Sequence, residues 1–157
     1  MRKFDEKNQK TLTNKGFSLV ELIIVIAIMA VLIGVLAPQY LRYVEKSRLQ
    51  KDNTSISEVA NVLKMSSADE TVINALSSSG ATYKFTSNVL TASGVTDLDK
   101  EVEMTIKLAD VKLTSTTYTT AAATPELVVS IDSNKIIKVV ANNWIEKPGA
   151  TPTTKTF

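Results

Sequence analysis

With 157 residues, 44% of them hydrophobic and 22% charged, the chain has material for one small domain and too much apolar sequence to be disordered. Histidine and cysteine are both absent, which removes disulfides, thiolate chemistry, the usual zinc ligands and the commonest general base together. The five glycines form no phosphate-binding loop, so neither an enzyme nor a cofactor is expected. The net charge of +2 belongs to the first sixteen residues, which hold five basic and two acidic side chains; the rest carries 13 basic and 14 acidic ones. So even a balance gives no reason to expect a dedicated nucleic-acid partner.

Residues 1–16 are polar and basic, and no fold is assigned to them. From Phe17 to Ala37 the chain is apolar with one charge, Glu21. About 20 such residues span a bilayer core as a helix. A carboxylate near the centre of a span costs about 2.5–3.5 kcal/mol, and less near an end, so Glu21 needs a partner. One is local: Ser18 and Glu21 have the spacing of a capping box, which satisfies free backbone N–H groups at a helix start. A secretory signal also has a charged region before an apolar one. Here, however, the apolar run exceeds the usual length, and Ala37-Pro38 is a poor cleavage site.

Gly16-Phe17-Ser18-Leu19-Val20-Glu21-Leu22, preceded by Lys15, resembles the class III signal of type IV pilins and related pseudopilins residue by residue. The resemblance implies a leader, residues 1–16, removed by a prepilin peptidase that cuts between Gly16 and Phe17 and methylates the new amine of Phe17. Glycine before the bond suits close approach to a protease, having no Cβ. It further implies assembly through Phe17 and Glu21, the carboxylate of one subunit pairing with the ammonium of its neighbour in an apolar filament core. The implied partners are other copies in a homo-oligomeric filament, the membrane before assembly, the peptidase and methyltransferase, and an assembly platform with its ATPase. The N-terminus is placed in the cytoplasm on the resemblance, because the basic residues on the two sides of the span nearly balance. The lack of cysteine departs from those pilins that clamp a C-terminal loop with a disulfide.

Gly34 and Pro38 are the points of helix flexibility: proline removes one backbone bond and glycine costs about 1 kcal/mol relative to alanine. Residues 17–41 are therefore expected as a transmembrane or filament-core half. An amphipathic half follows to about residue 64. Leu49, Ile56, Val59, Ala60 and Leu63 repeat at helical spacing and predict a buried stripe. Tyr40, Tyr43 and Val44 form an earlier stripe about half a turn away, assigned to neighbouring subunits or to the membrane interface.

In the head, residues 42–157 with that amphipathic half, a second helix is predicted over 68–76 with Ser67 and Glu70 as its capping box. Residues 81–100 are read as a connection with a short strand at 83–86. Val102, Met104, Ile106 and Leu108 alternate with polar residues, the period of a half-buried strand. Residues 126–132 and 135–141 predict a hairpin turning at Asp132-Ser133-Asn134. The Thr-rich stretch 114–124 is expected as an exposed loop, and 142–157 as an irregular tail that Trp144 pins to the sheet. Asp97, Asp99, Glu101 and Glu103 lack the ligand order of a calcium loop, and no metal is expected. Asn53-Thr54-Ser55 matches a glycosylation acceptor pattern of little weight.

The expectation is an α+β pilin fold, a long N-terminal helix on a small antiparallel sheet. Its function would be that of a structural subunit of a type IV pilus, held in the membrane as a precursor and then exported into a surface filament for adhesion, motility or biofilm formation. Two alternatives stand beside it: a pseudopilin of a secretion or DNA-uptake machine, and a single-pass membrane-anchored binding module with Ser18 and Glu21 as a cap only.

Overall fold

The structure, a computed structural model, describes residues 16–92, 94–120 and 124–157. The expected leader lies, except for Gly16, outside the described residues. Helix α1 runs over Leu19–Ser66, and the chain divides into two compact units between Gln39 and Tyr40. In the first unit every described residue is exposed, as an all-apolar helix without a partner must be. Gly34 and Pro38 both lie within the helix, which carries no break at either.

The second unit is built around the later stripe of α1. Leu49, Ile56, Val59, Ala60 and Leu63 are buried in one cluster with the inner face of a five-stranded sheet. The strands are β1 (Ala81–Thr86), β2 (Val89–Thr91), β3 (Glu126–Ile131), β4 (Ile137–Trp144) and β5 (Thr153–Thr156). All neighbours are antiparallel, in the order β2-β1-β3-β4-β5. Register places Tyr83, Leu127 and Ala141 in one row and Ala81, Val129 and Val139 in the next. All six are buried, the alternation that period-2 side chains require. The β3–β4 hairpin forms as the sequence predicts, with Asp132 N–H bonded to Ile136 O at 3.0 Å.

Helix α2 spans Glu70–Ser79, and its cap is Asp69, whose carboxylate accepts from Thr71 N at 2.8 Å. Ser67, the expected cap, is instead buried at the end of α1 and donates to Leu63 O at 2.5 Å. The expected connection at 81–100 holds β1, β2 and the start of helix α3 (Thr96–Thr105).

The expected strand at 102–108 is a correction. Residues up to Thr105 belong to α3, and Leu108–Asp110 form a 3-10 turn. Leu98 and Val102, four apart, are buried, while Met104 is 79% exposed. The alternation seen in the sequence coincides with a helical period that begins earlier, at Leu98, and Asp97 and Asp99 occupy the first turn, where the helix dipole favours anions.

The Thr-rich stretch is a second correction. Within it Ser115 caps a single helical turn, α4 (Thr116–Thr119), and both Ser115 and Tyr118 are fully buried. Residues 121–123 lie outside the described residues. The tail is not irregular throughout, because β4 continues to Trp144 and β5 adds the last strand. Trp144 does hold it: Phe157 meets its ring edge-on at 5.8 Å, and Lys155 Nζ lies 4.1 Å from the ring centroid. A register shift between Ala141 and Trp144 places Asn143 at φ 58°, a conformation that asparagine tolerates, and its Nδ2 donates to Thr124 O at 3.0 Å.

Candidate functional site

Gly16 and Phe17 precede α1 and have no regular structure. Gly16 has no atom within 4 Å of the place its Cβ would take, and Phe17 is 89% exposed. Both residues are therefore exposed among the described residues. Ser18 stands before the helix, with its carbonyl accepting from Leu22 N at 3.2 Å.

Glu21, in the first turn of α1, reaches back so that its Oε2 accepts from Ser18 N at 2.9 Å. That is the glutamate arm of a capping box, and the carboxylate sits where the helix dipole favours it. Gly16, Phe17 and Glu21 thus lie within six residues of one another in an exposed helix start. From Phe17 to Leu36 the large side chains are exposed, and the helix is long and apolar enough to cross a membrane. Gly34, like Gly16, has open space at its Cβ position, and Pro38 lies one turn on.

Beyond the first unit, Tyr40 and Tyr43 of the earlier stripe are exposed, while Val44 is half-buried. The opposite side of α1 carries a feature that sequence reasoning missed. Asp52 is fully buried, and its carboxylate accepts from Thr114 N at 2.9 Å, Thr114 Oγ1 at 2.9 Å and Ser115 N at 2.7 Å. Two turns earlier Glu45 Oε1 accepts from Thr117 N at 2.8 Å and Thr117 Oγ1 at 2.7 Å. Desolvation raises the Glu45 pKa, but the hydroxyl and amide of Thr117, and then those of Thr116, outweigh it and hold the carboxyl below its ordinary value. Tyr118 joins the same clamp: its Oη donates to Asn53 Oδ1 at 2.7 Å and accepts from Ile145 N at 3.0 Å. Burial, and behind it the Asp52 charge, push its pKa up, although a backbone bond to Ile145 acts the other way.

Asn53 also donates to Ile145 O at 2.9 Å, so both ends of the amide in the Asn53-Thr54-Ser55 pattern are engaged. The spacing of 7 between Glu45 and Asp52 was the only sequence signal for the clamp, and nothing marked residues 114–117 as its other half. Asp99, in the acidic stretch, accepts from Tyr83 Oη at 2.6 Å and from Gly94 N at 3.2 Å. Asp97 pairs with Lys100 at 3.8 Å.

Among protein families, the prokaryotic N-terminal methylation motif matches residues 12–37. Comparison with curated proteins and with solved structures returned no match. The motif is the class III signal peptide of type IV pilins; it implies processing by a prepilin peptidase and use by a pilus-type machinery, and with the apolar helix it suggests membrane anchoring. Over residues 12–37 the chain is thus similar to class III signal prepilins, and the long helix followed by an antiparallel sheet is consistent with a pilin fold.

Proposed function

We propose that the chain is the structural subunit of a type IV pilus. Residues 1–16 are a leader, residues 17–41 anchor the precursor in the membrane and later line the filament core, and residues 42–157 form the head with the amphipathic part of α1. Cleavage falls between Gly16 and Phe17, and the amine of Phe17 is methylated. The observation that supports this most is the set Gly16, Phe17 and Glu21 at the open start of a helix whose following twenty residues bury nothing in the described chain.

In the single chain Glu21 has a backbone N–H and a helix dipole as partners. Inside an apolar filament core those are weak compensation for a desolvated charge, and the ammonium of a neighbour's Phe17 supplies the missing countercharge. Gly34 and Pro38 mark where the helix loosens when the subunit leaves the bilayer. The filament is homo-oligomeric, lies outside the cell, and is built by an assembly platform with its ATPase. Adhesion, surface motility and biofilm formation are the roles such a filament supports.

Peptide mass spectrometry on filaments sheared from the cell surface tests this. The expected chain begins at N-methylated Phe17 and is recovered in long filaments. The same start recovered only from membranes would give the pseudopilin instead. An intact leader on a membrane-resident protein would leave only the anchored binding module.

A further inference from the structure

The stretch of α1 that follows the apolar run has an uneven charge distribution. Between Tyr40 and Thr54 there are four cations, Arg42, Lys46, Arg48 and Lys51, and two anions, Glu45 and Asp52. All four cations are exposed. Among the described residues, ion pairs form only between Lys84 and Glu126 and between Lys100 and Asp97, so these four have none there. Both anions are turned away from solvent cations, Asp52 onto Thr114 and Ser115 and Glu45 onto Thr117. The clamp that fixes α4 therefore leaves this part of the helix surface cationic.

We infer that Arg42, Lys46, Arg48 and Lys51 form a binding surface for anionic phospholipid head groups, which holds the unassembled subunit at the membrane face beyond its span. This rests on the proposed membrane-anchored precursor. The four residues cover about 14 Å of helix axis, more than the polar layer of one leaflet, which is about 5–7 Å thick. Helical side chains lean toward the N-terminus, which here means toward the apolar run, and long basic side chains snorkel to the head-group level. Tyr40 and Tyr43 are exposed beside them, as rings at a membrane interface are. A second copy presenting the same stretch is the poorer occupant, because it would set four cations against four.

The test uses the full chain in vesicles of phosphatidylcholine alone and of phosphatidylcholine mixed with phosphatidylglycerol. Insertion is read by resistance to alkaline extraction, and retained lipid by native mass spectrometry. The wild type should insert into both and retain phosphatidylglycerol preferentially. In R42Q/K46Q/R48Q/K51Q that preference should fall by at least roughly fivefold at low salt, the effect expected of even one surface cation. The control K135Q/K138Q, exposed on the β3–β4 hairpin, should leave it unchanged. Insertion without a preference, or an equal fall in the control, would overturn the lipid surface and leave the anchored precursor intact. Failure to insert into either vesicle would overturn both. A preference lost from the quadruple variant only in samples that have lost their near-ultraviolet circular dichroism would count against a direct contact. Single R42Q and K46Q variants that keep the fold should then show the smaller fall, and their failure to do so would overturn it.

Discussion

Asp52 is a buried carboxylate with no cation near enough to pair among the described residues, held by two backbone amides and a hydroxyl of Thr114 and Ser115. Removing it leaves those donors buried and unsatisfied, and Asp52→Ala should lower the unfolding free energy by about 3 kcal/mol. Asp52→Asn should cost less, because one acceptor oxygen survives; urea titration of the solubilised full chain, followed by Trp144 fluorescence, separates the two. Glu45 has the same kind of partners at a half-buried position, with its folded pKa below the ordinary value. Its contribution is therefore complete above the unfolded pKa, about 4, and is lost as pH falls through the depressed folded value. Glu45→Gln should flatten that acid-side decline in stability measured against pH, and a wild-type profile identical to the variant's would remove Glu45 from the clamp. Glu21 differs from both, because its only described partner is Ser18 N–H. Glu21→Ala should still be processed at Gly16 yet give no sheared filaments, a pair of outcomes that immunoblots of leader-free subunit and of the filament fraction can read.

Helix α3 shows how an element is decided by which side chains reach the core. Leu98 and Val102 are buried together, whereas Met104 projects into solvent. A half-buried strand would have placed Val102 and Met104 on one face. Met104→Lys should change stability by no more than about 0.5 kcal/mol, while Leu98→Ala should cost about 3 kcal/mol. Similar losses for both substitutions in the same urea experiment would restore the strand. Residues 114–120 follow the same rule, since their composition reads as loop and their anchorage to Glu45 and Asp52 makes a helical turn of them.

For the head as a whole, the two edges of the sheet are treated differently. The β2 edge is covered by the following segment, through Leu90 N to Val111 O at 3.1 Å and Leu113 N to Asn88 O at 2.9 Å. The other edge is the short β5, which pairs with β4 and also brings Lys155 and Phe157 onto Trp144. A chain ending at Pro152 exposes the β4 ladder and part of the indole. Its Trp144 emission should move to longer wavelength and its head should aggregate, both measurable against the full chain in one fluorescence and light-scattering experiment. Unchanged emission would place the holding of Trp144 in β4 and the core alone.

What the sequence determined by itself is what depends on neighbours in the chain. The motif from Gly16 to Glu21, the apolar run after it, the buried stripe from Leu49 to Leu63 and the β3–β4 hairpin all rest on spacing within a few residues, and each was legible there. What only the tertiary structure decided depends on partners 60 or more residues away: Asp52 with Ser115, Glu45 with Thr117, Tyr118 with Asn53. β5 and the helical state of 96–105 were decided by packing as well, at shorter range along the chain. Thr-Thr-Lys-Thr becomes a strand because β4 offers it an unpaired edge, and Val102 turns toward Leu98 because the core lies on that side. Local propensity is weak beside burial and hydrogen-bond completion, and those are settled only when distant segments meet.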